Sequence, residues 1–199
     1  NFRSIISASI LNDLYQTNAY VLTDRRKYNR LSEDFFKIYN IKKIFSSPAV
    51  LLKINLIIYI RVFLEIISLN IKILNKKNKL YWFTSKYTYA GIKIGDLIYD
   101  EYIRFDCSFI NPKITSLKFL KIFFRAIYKI LIIDKNVKKY NIKFVVSNQK
   151  AYISTGNLLL RYGTKNKLIT ILNGSNFIKF YKNYKQSLYY PYRISEDLI

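Results

Sequence analysis

Histidine and methionine are absent from this chain of 199 residues, and Cys107 is its single cysteine. Without histidine there is no Ser-His-Asp triad, no Cys-His dyad, no imidazole metal ligand and no histidine general base. One cysteine closes no internal disulfide and builds no multi-cysteine zinc site, so no metal is expected. Any catalysis has to run on Asp, Glu, Lys, Tyr or backbone groups. Glycine is scarce, with 5 residues, as is proline, with 3. No Gly/Ser linker, internal repeat, Walker motif or GxGxxG can be read. A long uncharged apolar run is lacking too. The most apolar stretch, Val50 to Leu74, is interrupted by Lys53, Arg61, Glu65 and Lys72. Its longest uncharged run, Ile54 to Ile60, falls far short of the roughly 20 residues that span a bilayer. A peripheral membrane contact fits it better than a span. No signal peptide is visible, and the expected location is cytoplasmic, peripheral on the inner face of the cytoplasmic membrane.

What is present is apolar and basic. Hydrophobic residues make up 51% of the chain, enough for one domain with a sizeable core. Acids number 12 against 34 Lys and Arg, giving a formal charge of +22. Such a surface attracts phosphates and anionic lipid. The dominant residues (Lys, Asn, Ile, Tyr, Phe) all have AT-rich codons, so a low-GC bacterial genome explains the excess without selection for a polyanion.

Hydrophobic periodicity predicts helices over Phe2–Tyr15, Leu31–Tyr39, Ser47 to about Leu74, Ser116 to about Ile133, and Ala151–Tyr162 with Gly163 as C-cap. Strands are predicted over Ala19–Thr23, Lys143–Ser147 and Leu168–Leu172, and Ile41–Phe45 reads as a short strand or a connector. Leu80–Thr84 is ambiguous. Alternating strands and helices with short connectors predict an α/β domain, a Rossmann-like parallel sheet with helices on both faces, over residues 1–180. Such a domain ordinarily opens with a strand, so a first strand ahead of this sequence is expected. Residues 181–199 form a basic, Tyr-rich tail or the start of an inter-domain linker.

Three stretches carry candidate chemistry. Gly91 to Arg104 holds two of the five glycines, together with Asp96, Asp100 and Glu101. Gly95 reads as a loop feeding a helix capped by Asp96, and Asp96 and Asp100, four apart, share a face. One carboxylate of Asp96, Asp100 and Glu101 suits a general base that takes a proton from an acceptor hydroxyl, with Gly95 and Arg104 as substrate contacts. A capped helix with an Asp100–Arg104 ion pair explains the same residues. The second stretch, Ser147 to Gly156, lies where ligands of open α/β sheets collect. Ser147, Asn148, Lys150 and Tyr152 suit sugar hydroxyls and phosphate, and Asn173 sits equivalently after the next strand. An ordinary polar loop explains these as well. In the third, the helix from Ser116, Lys118, Lys121, Arg125 and Lys129 are spaced as one basic stripe opposite Leu117, Leu120, Phe124, Ile127 and Leu131. This is either a solvated face or a surface for anionic lipid.

The string IGDLIYDEYIR, Ile94 to Arg104, resembles a stretch of capsule and other surface-polysaccharide biosynthesis proteins, a group similar to glycosyltransferases of the two-Rossmann-domain (GT-B) type. FVVSNQKAYISTGNLLLRYG, Phe144 to Gly163, is similar to that group's strand, loop and helix block, with Ser147, Tyr152, Gly156 and Arg161 at the matching positions. The resemblance implies the N-terminal, acceptor-side half of such a fold, a nucleotide sugar as donor substrate, a glycan or lipid-linked acceptor at the membrane, and no resident cofactor. It also implies that Lys150 and Arg161 offset phosphate charge while Asn148 and Tyr152 position hydroxyls. One departure stands out: the group's pattern has a histidine after the strand's serine, and this chain has Asn148. A non-catalytic subunit of a polysaccharide assembly is therefore a rival expectation. A basic nucleic-acid-binding module is another, although no helix-turn-helix, RNA-recognition or finger signature accompanies the charge, so nucleic acid is not the expected partner.

Overall fold

The computed structural model describes residues 2–15, 20–23, 34, 36–45, 56–106, 116–147, 157–173 and 178–188. The described elements are α1 (Phe2–Tyr15), β1 (Tyr20–Thr23), β2 (Lys42–Phe45), α2 (Leu56–Leu74), α3 (Lys79–Lys86), β3 (Thr88–Tyr89), β4 (Ile92–Lys93), α4 (Gly95–Asp106), α5 (Leu117–Lys139), β5 (Phe144–Ser147), α6 (Asn157–Lys165), β6 (Ile169–Asn173), β7 (Ile178–Tyr181) and α7 (Tyr184–Leu188). The fold is mixed α/β, as the alternation of periods predicts, but the described strands fall into three separate sheets rather than one. Among the described residues β1 and β2 form a parallel pair, β3 and β4 an antiparallel hairpin, and β5-β6-β7 a third sheet. In that sheet Val145 pairs Thr170 in parallel and Ile171 pairs Phe180 in antiparallel. The unit β5-α6-β6 is thus a parallel crossover edged by an antiparallel strand that no sequence period announced.

The core is built around α5, which packs against α2, α4 and α6. Ser116 caps it, its hydroxyl accepting from the Phe119 N–H at 3.2 Å. Its buried side is Phe119, Ile122, Phe123, Ala126, Ile130 and Ile133, joined by Ile127. This differs from the apolar face expected from spacing: Leu117 is 80% exposed and Leu120, Phe124 and Leu131 are half-buried. A helix with neighbours on three sides buries most of its circumference, so a single stripe does not define its inner face. Aromatic rings then lock the centre. Phe83 stacks on Tyr87 at 5.1 Å and meets Phe119 edge-on at 5.2 Å, and Tyr102 meets Phe119 edge-on at 5.8 Å.

Scarcity of glycine shapes the helix ends. Asn40, Asn141 and Lys167 take the left-handed conformation that glycine usually supplies at a C-terminus. After α5, Ile142 N–H reaches Val137 O at 3.0 Å, and after α6, Leu168 N–H reaches Gly163 O at 2.9 Å. Gly163 therefore does not cap α6; it lies inside the helix. A Cβ there would press on the Thr170 hydroxyl and the Val145 side chain. The glycine is spent on close helix–sheet contact, and Lys167 does the capping.

Gly95 has a similar task. Its Cα crosses so near α3 that a Cβ would overlap the Phe83 carbonyl oxygen, a backbone atom that cannot turn away. In an ordinary helix Gly→Ala stabilises by about 1 kcal/mol. Here the sign is expected to reverse: Gly95→Ala should lower stability by about 1–3 kcal/mol, as overpacking does. A chemical-denaturation midpoint that rises or stays put would contradict this crossing.

Ser47 with Pro48, the Asn111-Pro112 turn, Cys107, and the tail from residue 189 lie outside the described residues, as do residues 31–33 and 35 of the helix expected over Leu31–Tyr39, of which 34 and 36–38 are helical.

Candidate functional site

The polar centre of the molecule is a junction of β4, α4, α6 and α7. Helix α4 begins at Gly95, with the Ile94 carbonyl accepting from the Ile98 N–H at 3.0 Å. Asp96 is therefore inside the first turn and not the cap expected from its place after glycine. Its carboxylate turns to Arg161 of α6. Nη1 donates to Oδ1 at 2.7 Å and Nη2 to Oδ2 at 2.8 Å, a two-point grip that suits a planar guanidinium. Arg161 is 0% exposed, the largest fully buried side chain described, and Nη1 also donates to the Lys93 carbonyl at 2.8 Å. Its Nε has no hydrogen-bond partner among the described residues. Lys93 Nζ lies 4.0 Å from Asp96 Oδ2, and the Lys93 N–H donates to the hydroxyl of Tyr184 on α7. Burial raises the Tyr184 hydroxyl above its ordinary range, against the opposing pull of that N–H and of Arg161.

Glu101, one turn further along α4, is buried and takes Nη1 of Arg125 from α5 at 3.1 Å, while its Oε2 has no hydrogen-bond partner among the described residues. Asp100 is half-buried and Arg104 exposed at the end of the same helix. Of the basic stripe on α5, Lys121 and Arg125 are exposed, Lys118 is half-buried, and Lys129 is only 4% exposed. The four cations do not form one solvent-facing row: Arg125 bridges to α4 and Lys129 belongs to the interior.

At the carboxyl edge of the three-stranded sheet, Ser147 and Asn173 are both buried. Asn173 Nδ2 donates to Ser7 Oγ of α1 at 2.8 Å, so this expected substrate contact ties the first helix to the sheet. Asn148, Lys150, Tyr152 and Gly156 lie outside the described residues. The structure thus joins Gly95, Asp96 and Arg161 at one junction, sets Glu101 and Arg125 at a second, and leaves Ser147 and Asn173 at the sheet edge.

A cavity of about 650 Å³ opens at the amino end of β6, lined by Lys165, Lys167, Thr170, Phe180, Lys182 and Tyr184 among others. Sequence reasoning did not single it out. It lies away from the carboxyl edge where ligands of open α/β sheets collect, and its only advance signal is the basic turn after α6. Among the described residues no group of three or more acidic or cysteine side chains is arranged to hold a metal ion. Comparison with protein-family models, curated proteins and solved structures gives no match to this chain.

Proposed function

We propose that this chain is a glycosyltransferase-like protein of surface-polysaccharide biosynthesis, its α/β core being the Rossmann-like, acceptor-side half of a GT-B-type fold that passes sugar from a nucleotide donor to a membrane-associated glycan. The observation that supports this reading is the Asp96–Arg161 pair. Asp96 belongs to one of the two sequence blocks that carry the resemblance and Arg161 to the other, and they meet in the buried centre although 65 residues apart. The two blocks are thus halves of one structural unit. The same contact redistributes roles. Asp96 and Arg161 hold the unit together, Glu101 holds Arg125, and the base in this proposal is Asp100, half-buried and one turn beyond Asp96 on the same face.

A second reading, a non-catalytic subunit of a polysaccharide assembly, draws on the same geometry: Asp96 and Glu101 are each engaged by an arginine, and Asn148 stands where the resembling group has histidine.

A panel of nucleotide sugars in a thermal-shift assay on the longest natural form of the chain, followed by transfer to a lipid-linked acceptor, separates the readings. A donor present at a hundred times its dissociation constant is expected to add about 2.7 kcal/mol of stability. Asp100→Ala is expected to slow transfer by about 10²–10⁴-fold while donor binding persists. Donor binding with no transfer by the unaltered chain would favour the non-catalytic subunit. Silence toward every donor would overturn the transferase reading.

A further inference from the structure

Helix α2 is apolar almost all the way round, which in a protein normally means burial on every side. Yet only one arc of it is covered. Val62, Leu69 and Ile73 are buried against the core, while Leu56, Ile60, Phe63, Ile67, Ile71 and Leu74 lie open, Phe63 at 62% and Leu56 at 71% exposure. At 100° per residue these six fall within one narrow arc that runs the length of the helix, about 28 Å. Tyr59, exposed at its near end, carries this surface across to α5, its ring 5.4 Å from that of half-buried Phe124. No described helix is long and apolar enough to cross a membrane.

Charge decides what covers it. From Leu56 to Lys79 the chain has five cations, Arg61, Lys72, Lys76, Lys77 and Lys79, and one anion, Glu65. Arg61 and Lys72 are eleven residues apart, about three turns, and so line one flank of the apolar arc. The three remaining lysines follow its carboxyl end, and exposed Lys121 lies one turn before Phe124 on α5. A second copy of this chain would bring two such cationic rims, each on a chain of formal charge +22, into contact. A bilayer with anionic headgroups offers the opposite charge at the rim and hydrocarbon beneath the arc. A helix with an apolar face and a basic margin lies flat in such an interface. We infer that the outer face of α2 docks this protein on an anionic membrane surface, with Phe63 and Ile67 entering the acyl boundary and Arg61, Lys72 and the lysines after α2 on the headgroups. This inference stands whether or not the transferase reading holds.

The test is flotation of the purified chain with phosphatidylcholine vesicles, with and without phosphatidylglycerol, beside the variant Phe63→Ser/Ile67→Ser. The unaltered chain is expected to float with phosphatidylglycerol vesicles and far less with phosphatidylcholine alone. The variant, altered only at exposed positions and so expected to keep its circular dichroism, should bind at least tenfold more weakly. Equal binding by both chains would overturn the inference, as would no binding to phosphatidylglycerol vesicles. Self-association of the unaltered chain that the variant abolishes would overturn it in favour of a protein interface. If the double variant misfolds, Trp82→Phe with Phe63→Trp gives a single tryptophan on the face. Its fluorescence should be quenched by brominated acyl chains, and an unquenched signal on bound protein would sink the inference.

Discussion

Replacing Asp96 by alanine is expected to lower the stability of the fold by about 3–5 kcal/mol, the range found when one partner of a buried ion pair is removed. The size comes from what remains. Arg161 is wholly enclosed, cannot release its proton, and would keep only the Lys93 carbonyl as acceptor. A charge left so poorly matched in the interior is among the few mechanisms that destabilise a domain beyond the usual mutational range. The complementary variant, Asp96→Ala/Arg161→Met, removes both charges and keeps most of the volume. It should recover at least half of the loss, since buried pairs replaced by apolar groups are often close to neutral. Denaturation midpoints of the two variants check this, and a loss under about 1 kcal/mol for Asp96→Ala would show that the pair is not structural. The experiment also bears on activity. Were Asp96 a base and nothing more, its removal would abolish transfer and leave the midpoint in place.

Alkaline solution is expected to unfold the protein between about pH 10 and 12, more steeply than its lysine content suggests. Four of the buried tyrosines, Tyr87, Tyr128, Tyr162 and Tyr181, hold their protons beyond the ordinary range near 10. Burial pushes Tyr128 up to about 12 and Tyr181 up to about 12. Tyr87 is raised by burial and then by Glu65, to which its hydroxyl donates at 2.8 Å; Tyr162 is raised by burial and then by its hydrogen bond to Asp134, at 2.9 Å. In the unfolded chain these phenols ionise near 10; in the folded chain they do not. The unfolded state therefore binds fewer protons above that pH, and stability falls as pH rises. The stabilisation is complete below pH 10 and disappears as pH climbs through the folded values. Each phenol contributes a slope of up to about 1.4 kcal/mol per pH unit, so four acting together exceed a marginal domain's stability within two units. Loss of lysine charge relieves self-repulsion over the same interval, but that is a surface effect spread through solvent and is the weaker of the two. Circular dichroism and phenolate absorbance, followed together from neutral pH upward, should show a cooperative step. Smooth titration of all 19 tyrosines near 10 with the fold intact would contradict this account.

What could be read in advance was what repeats within a few residues. The limits of α1, the Ser116 cap of α5, and the paired strands β5 and β6 all follow from local period and turn chemistry. What escaped was short or distant. Strands β3 and β4 are two residues each, too short to show alternation, and their hairpin turns on Ala90 and Gly91, both with positive φ. An Ala-Gly pair is a weaker hairpin signal than Asn-Gly. Apolar residues surround α5, so its lysine spacing outlines a wet side that Lys129 does not occupy. The partnership of Asp96 with Arg161 has no local trace at all. Each residue alone suggested a role toward a ligand, and only the folded chain brings the two charges together.

The bond between Asn173 and Ser7 spans 166 residues of sequence. A ribosome adding about 5–20 residues per second needs on the order of ten to thirty seconds between making α1 and completing β6. For that interval α1 lacks the β5-β6 pair it contacts in the finished fold, while its Ile6, Ile10 and Leu14, exposed even there, remain available to other surfaces. Contacts of such long range form late and slow the search. The order of synthesis thus makes the docking of α1 on β6 a late event.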